Sequence, residues 1–168
     1  MTNDLIARRV SIAVVVAAVL VCLAFPRGAS AQVGAGAGAG AGVRAGVSAS
    51  PDQFYLGAHY DTGYLFDHLS FRPNLEVGLG DNRTTVAVNF EFAYWFPVNN
   101  KPYNVYVGAG PALNIFRYDL PGGSTTDAKP GFNLLAGITH KSGLFAELKL
   151  GLIDSPAVKF GVGYTWRR

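Results

Sequence analysis

Three residues in the last third of the chain carry the groups that an acyl-transfer site requires. His140 and Ser142 are two positions apart, and Glu147 follows five positions later. A serine hydroxyl, an imidazole and a carboxylate can together generate an activated nucleophile. The test of roles and geometry favours a simpler interpretation, a polar turn followed by a strand on which Glu147 points away from the pair. No catalytic residue is therefore predicted.

The other residue types give little support to metal or cofactor chemistry. His59 and His68 have no partner at a metal-ligand spacing. Gly108 and Gly110 lie in the middle of a predicted strand, not in a phosphate-binding loop. Cys22 is the only cysteine and lies in a segment predicted to be removed, so a disulfide or a cysteine metal site is not expected. No metal site and no cofactor are predicted.

Charged residues on the polar faces of predicted strands form a second group with chemical potential. Four are basic and four are acidic: Arg44, Asp61, Arg72, Glu76, Glu91, Glu147, Lys149 and Lys159. If they share a confined interior they must pair, because an isolated charge there costs several kcal/mol to desolvate. A structural plug is the simpler prediction. A gated ion path is the alternative, although eight strands leave an interior only just filled by side chains.

The elements that position these charges follow from a period of two. Apolar residues recur at alternate positions, as in a strand; between Val86 and Phe96 every even position is valine or aromatic. Eight such segments are predicted: 43–49, 54–60, 69–79, 85–96, 103–115, 132–138, 144–152 and 158–166. A barrel with both chain ends on one side needs an even number of strands. The fold class predicted is all-β, an eight-stranded antiparallel up-and-down transmembrane barrel.

The first 31 residues have the three parts of a signal peptide. Arg8 and Arg9 precede an uncharged apolar run over residues 10–25, and Ala29 and Ala31 supply small residues for signal peptidase. The run is shorter than the ~20 residues of a membrane-spanning helix, so cleavage near Ala31 is predicted. Alternating glycine and alanine make residues 32–42 a predicted flexible leader, and 43–168 the barrel.

The glycine content of the polar strand face indicates that this face lines the interior of the barrel. A soluble barrel would show the same alternation with its apolar face inward. Here the polar face is rich in glycine, which weakens a strand exposed to water but leaves room inside a narrow barrel for side chains such as Tyr55, Tyr106 and Arg72. The apolar stretch from Val86 to Phe96 spans ~33 Å, and when tilted by ~40° it covers the ~25 Å apolar band of a bilayer.

Three sequence features resemble the small bacterial outer-membrane β-barrel family with OmpA-like and OmpX-like domains. They are the glycine-rich stretch 106–111, the segment 145–149 and an alternating aromatic last strand that ends near Trp166. The resemblance covers roughly residues 43–166. It implies the barrel fold, an outer-membrane location in a Gram-negative cell envelope and insertion by the barrel-assembly machinery. Arg167 and Arg168 extend beyond the terminal aromatic, where such proteins usually stop.

The loop lengths assign the two ends of the barrel and a candidate binding surface. Short turns are predicted on the periplasmic side, and the one long connection, 117–130, on the outside, where long loops belong. Its candidate binding residues are Asp119, Gly122, Gly123, Thr125, Thr126 and Asp127. Pro73 and Pro111 each remove a ladder donor inside a strand, so bulges are predicted there.

These features predict a structural or surface-interaction protein of the outer membrane, without catalysis. The expected partners are outer-membrane lipid, lipopolysaccharide and an unidentified extracellular ligand. Removal of residues 1–31 lowers the formal charge from +3 to +1, which does not indicate nucleic-acid binding. A narrow, porin-like pore for ions or small solutes is the first alternative. The third function considered is a lipid A-modifying enzyme, since lipid A deacylases also carry a His-x-Ser element.

Overall fold

The computed structural model describes residues 38–81 and 83–167, which form nine β-strands. No helix in these residues is long and apolar enough to cross a membrane. The strands are β1 Gly40–Ala49, β2 Gln53–Asp61, β3 Tyr64–Phe66, β4 Leu69–Gly80, β5 Arg83–Pro97, β6 Tyr103–Leu120, β7 Gly123–His140, β8 Leu144–Leu152 and β9 Val158–Arg167.

Eight of these strands close into an antiparallel barrel. From β4 to β9 each strand pairs with the next one along the chain, β1 pairs with both β2 and β9, and β2 pairs with β4. The ninth, β3, is a three-residue strand that pairs with β4. The eight-stranded up-and-down barrel predicted from the sequence is confirmed.

The two ends of the barrel differ in how far the strands extend. The terminal end holds Gly40, Arg167 and the connections 62–68, 98–102 and 141–143. The hairpin end holds the connections 50–52, 121–122 and 153–157, together with Asp81. There β6 and β7 stay paired as far as Leu120 and Gly123, well beyond their neighbours. All short turns predicted for one side therefore lie at the terminal end.

Most strand boundaries lie within two residues of the sequence expectation, and the differences at two places are larger. β1 begins at Gly40, so residues 40–42 of the predicted leader belong to the barrel. The prediction of a long loop over 117–130 is wrong, because Arg117 pairs with Thr126 and only Pro121 and Gly122 connect the two strands. Backbone hydrogen bonds to β6 hold the β7 half of this hairpin, where residues 123–127 carry no apolar side chain, so hydrophobic periodicity does not detect it. The predicted signal peptide lies outside the described residues.

Side chains alternate between a polar interior and an apolar exterior. Glu91 and Glu147 are 0% and 3% exposed, whereas their neighbours Phe92 and Leu148 are each 44% exposed. Trp95 interrupts the sequence pattern because it points inward, where it is buried. Large apolar side chains thus cover the outside of the barrel, and charges fill the inside.

The two strand prolines interrupt pairing without adding a residue. At Pro111 the β5–β6 ladder omits two successive pairs and then resumes in the same register. At Pro73 the β4–β5 register is unbroken, while the β2–β4 ladder stops at Asn74. The predicted bulges are therefore wrong. Beyond Pro73, Thr62 continues the contact, since its amide donates to the Phe71 carbonyl at 3.0 Å.

Candidate functional site

The interior charges meet around Glu76, which lies on β4. One carboxylate oxygen accepts a hydrogen bond from Lys149 Nζ at 2.8 Å, and the other accepts one from Lys159 Nζ at 2.7 Å. Arg44 Nη1 lies 3.5 Å from the first oxygen. All four side chains are buried. Three cations supplied by β1, β8 and β9 therefore converge on one carboxylate supplied by β4.

Glu147 and Glu91 carry the remaining contacts of the cluster. Glu147 accepts from Arg44 Nη1 at 2.8 Å, from Arg72 Nη1 at 3.1 Å and from the Tyr106 hydroxyl at 2.8 Å. Glu91 accepts from Lys149 Nζ at 2.6 Å. Opposite charges thus lie at hydrogen-bond distance across the barrel, which is the geometry that buried ion pairs need to offset desolvation.

Asp61 is placed nearer the terminal end than the other acids. Its carboxylate lies 3.6 Å from Arg72 Nε and accepts the Gly63 amide at 3.2 Å. The structure therefore connects all eight charged residues predicted to face inward in a single network.

A row of asparagines extends this network across three strands. Asn133 Nδ2 donates to Asn89 at 2.8 Å, Asn89 Nδ2 donates to Asn74 at 2.7 Å, and Asn74 Nδ2 donates to Glu91 at 2.7 Å. Sequence reasoning placed these amides on the polar face but did not predict the row. The signal available was their shared inward parity on β4, β5 and β7.

Aromatic side chains fill the interior toward the terminal end. Trp95 and Tyr106 are buried with ring centroids 4.7 Å apart, and Trp95 Nε1 donates to the Ser70 hydroxyl at 2.8 Å. The Arg72 guanidinium lies 4.6 Å from the centre of the Tyr106 ring, at a cation–π distance. The charge network is therefore covered on this side by large packed rings.

Little space remains beside the charge network. A cavity of about 10 Å³ lies next to Tyr55, Glu76 and Lys159. That volume is about what one water molecule needs. The interior here is packed, as expected of a plug.

The outer part of the β6–β7 hairpin, residues 116–127, is called the ribbon below. The six residues predicted as a binding loop all belong to it and are exposed. Arg117 Nε lies 3.5 Å from Asp119. Toward the barrel, Lys129 lies 3.5 Å from Asp154 and 3.7 Å from Asp127, and these carboxylates raise the pKa of Lys129.

The residues considered for acyl transfer are not brought together. His140 Nδ1 lies 2.9 Å from the Ser142 hydroxyl, and both are exposed in the turn after β7. Glu147 lies inside the barrel, where Arg44, Arg72 and Tyr106 occupy its carboxylate. The His–Ser contact is therefore a local turn interaction without its carboxylate.

Solved structures with a similar fold are small outer-membrane barrels. Neisserial surface protein A has a TM-score of 0.59 and 17% identity, and the match covers 76% of this chain and 96% of that protein. The N-terminal β-barrel domain of Pseudomonas aeruginosa OprF has a TM-score of 0.58 and 14% identity, with 78% and 98% covered. Ail, the attachment invasion locus protein of Yersinia pestis, has a TM-score of 0.48 and 12% identity, with 78% and 99% covered.

Sequence comparison adds nothing to these matches. No protein-family model matches the chain, and no curated protein matches it either. At the identities found, the first two structures establish the fold. The resemblance to small outer-membrane β-barrels is confirmed at that level.

Proposed function

We propose that this chain, which has the fold of the small outer-membrane barrels, resides in the bacterial outer membrane and acts there as a surface-interaction protein. The ribbon is the interaction surface, and the packed barrel is its anchor. The hairpin end would then face outward and the terminal end the periplasm, consistent with the lengths of the connections.

The observation that carries the proposal is an unpaired strand edge. The β7–β8 ladder begins only at Phe132, so no strand pairs with β7 on that side from Gly123 to Gly131. An unpaired edge presents backbone donors and acceptors to any extended chain of suitable length. Gly123, Ser124, Thr125 and Thr126 form its outer half and carry no charge or proline to blunt it.

The proposed partner is an extended peptide segment that adds as a further strand beside β7. In this mode main-chain hydrogen bonds provide affinity, and alternate side chains provide specificity. Asp127, Lys129 and Pro130 lie at the base of the edge, where charges and proline disfavour pairing with an indiscriminate partner. Binding should therefore be confined to the outer residues of the ribbon.

Location and orientation are tested by labelling single cysteines. In a Cys22→Ser background, Thr125→Cys should react with a membrane-impermeant maleimide on intact cells. Asn100→Cys, in a connection at the terminal end, should react only after lysis. Equal labelling of both positions on intact cells, or of neither, would contradict the proposal.

Binding is tested with a synthetic peptide of residues 115–120, because that sequence already pairs with β7 on its other edge. Successive backbone amides of a strand point to opposite edges. One of the two substitutions Ser124→Pro and Thr125→Pro therefore removes an N–H donor from the free edge of β7, and the other disturbs the pairing of β7 with β6. Deletion of residues 118–125, with an Asn-Gly turn rejoining Arg117 to Thr126, should abolish peptide binding while the barrel still folds. Unchanged peptide affinity after the deletion would reject the ribbon.

A pore is less well supported, because the interior beside the charge network has room for about one water molecule. The refolded protein should show no steady conductance in planar bilayers. Reproducible single-channel steps would instead favour the ion path.

A further inference from the structure

A second cavity, of about 120 Å³, opens at the hairpin end. The turn between β1 and β2, the start of β5, the strands β6 and β7, and the turn between β8 and β9 all contribute to its wall. The residues used below are Arg83, Phe116, Tyr118, Lys129, Asp154 and Ser155. The cavity lies in the mouth of the barrel; its wall includes Lys129 at the base of the free edge of β7 but none of the outer edge residues 123–126.

Arg83 is held in this cavity by aromatic rings. Its guanidinium carbon lies 4.3 Å from the centre of the Phe116 ring and 4.9 Å from that of Tyr118. Its Nε is buried and has no hydrogen-bond partner among residues 38–81 and 83–167. A guanidinium that lies over rings can still make a bidentate contact with an oxyanion through its two Nη groups.

Neighbouring cations already have acidic partners, in contrast to Arg83. Lys129 lies within 4 Å of both Asp154 and Asp127, and Arg117 lies 3.5 Å from Asp119. No ion pair joins Arg83 to a carboxylate in the part of the chain that the structure describes. The cavity therefore contains a positive charge that its own wall does not neutralise.

The turn between β8 and β9 supplies a second donor. Asn114 Nδ2 donates to the Asp154 carbonyl at 3.0 Å and to the Ser155 hydroxyl oxygen at 3.1 Å. Because Ser155 accepts that bond, its own proton remains available to a ligand. Ile153 and Asp154 have φ values of 53° and 28°, so this turn is held in a backbone conformation that non-glycine residues seldom adopt.

We propose that this cavity binds one oxyanion group, a carboxylate, phosphate or sulfate, with Arg83 as its main ligand and Ser155 as a second donor. The cavity is smaller than the ~300 Å³ at which pockets for drug-sized molecules begin, so it takes a single group and part of its carrier. The group arrives either as a free inorganic ion or attached to a sugar.

The experiment observes Arg83 directly. The protein, labelled with ¹⁵N-arginine and refolded in detergent micelles, is titrated at constant ionic strength with inorganic phosphate and with glucose 6-phosphate, and with chloride and glucose as controls. The Nε–H resonance of Arg83 should shift and saturate with at least one phosphate, and with neither control. Saturation with phosphate alone identifies the free ion, and saturation with the sugar phosphate identifies the carried group.

Variants separate this site from general attraction of anions. Arg83→Gln should weaken binding at least about tenfold, as expected for loss of a charged hydrogen-bond partner. Ser155→Ala should weaken it less, and it keeps the test available if Arg83→Gln does not fold. Arg117→Gln, an exposed arginine outside the cavity, is the matched control and should change nothing. The proposal is overturned by the absence of saturation, an equal response to chloride, or an equal loss in Arg117→Gln.

Discussion

Glu76 receives hydrogen bonds from two lysine ammonium groups, and a third cation, Arg44, lies 3.5 Å away. A buried carboxylate of this kind neutralises neighbours that have few other partners. Its removal would leave Lys159 without an acidic partner within 4 Å among the described residues. The cost of losing Glu76 should therefore be set by the stranded cations and not by the missing hydrogen bonds alone.

We predict that Glu76→Gln lowers the free energy of unfolding by about 3–5 kcal/mol, because it preserves shape but removes the charge. Urea unfolding of the protein refolded in lipid vesicles measures this change. Asp119→Asn is the control, since its pairing with Arg117 is exposed and worth at most about 1 kcal/mol. Similar losses in the two variants would show that the interior charges are well hydrated.

The sequence predicts whether a side chain faces the interior or the exterior wherever simple alternation along a strand determines it. The inward charges follow from their alternation with apolar residues, whereas the row from Asn133 to Asn74 depends on how β4, β5 and β7 are staggered. That stagger is a property of pairing between strands, and one sequence does not state it. Trp95 follows the same parity as Glu91, but its contacts with Ser70 and Tyr106 likewise depend on the stagger of neighbouring strands.

Among the elements, the contact between β1 and β9 shows how tightly the barrel is closed. Gly46 pairs with Gly161, and Tyr55 packs over both of them. A Cβ on Gly46 would lie 2.7 Å from the Gly161 Cα and 2.8 Å from Tyr55 Cε1. Glycine at this position is therefore required by the close approach of two backbones and a ring.

Gly46→Ala should reduce the free energy of unfolding by about 1–3 kcal/mol, the usual cost of overpacking. Gly122→Ala is the matched control, because a Cβ there would have no atom within 4 Å. Urea unfolding of each variant, refolded in lipid vesicles, provides the measurement. If both variants were equally stable, the contact between β1 and β9 at Gly46 would have room for a Cβ atom.

Element boundaries were predictable only where one face is apolar. β8 has the predicted bounds, Leu144–Leu152, because leucine alternates with polar residues along its whole length. The ribbon escaped prediction because residues such as Ser124, Thr125 and Thr126 are exposed on every side and carry no periodic signal.

At the scale of the barrel, large apolar side chains are exposed along the outside of the described strands. Phe92, Leu148 and Val162 are each 44–50% exposed although they are large and apolar. Soluble monomers seldom leave such a surface uncovered. In the proposed location this band is buried in lipid.

We predict that Leu148→Arg, near the middle of β8, destabilises the protein in bilayers by about 2–4 kcal/mol, the cost of a cation at the midplane. Leu120→Arg, at the exposed tip of β6, should be close to neutral. Unfolding in urea, measured in the same vesicles, compares the two. A neutral Leu148→Arg would place that surface in water and not in lipid.

Gly40 pairs with Arg167, so the beginning of β1 and the end of β9 lie side by side. A short linker could join them, and the polypeptide could be opened instead between Pro121 and Gly122, where only a turn is interrupted. Such a circular permutant would keep every ladder but carry both free ends at the tip of the ribbon. The same barrel would then become a scaffold that displays a fused passenger at its opposite pole.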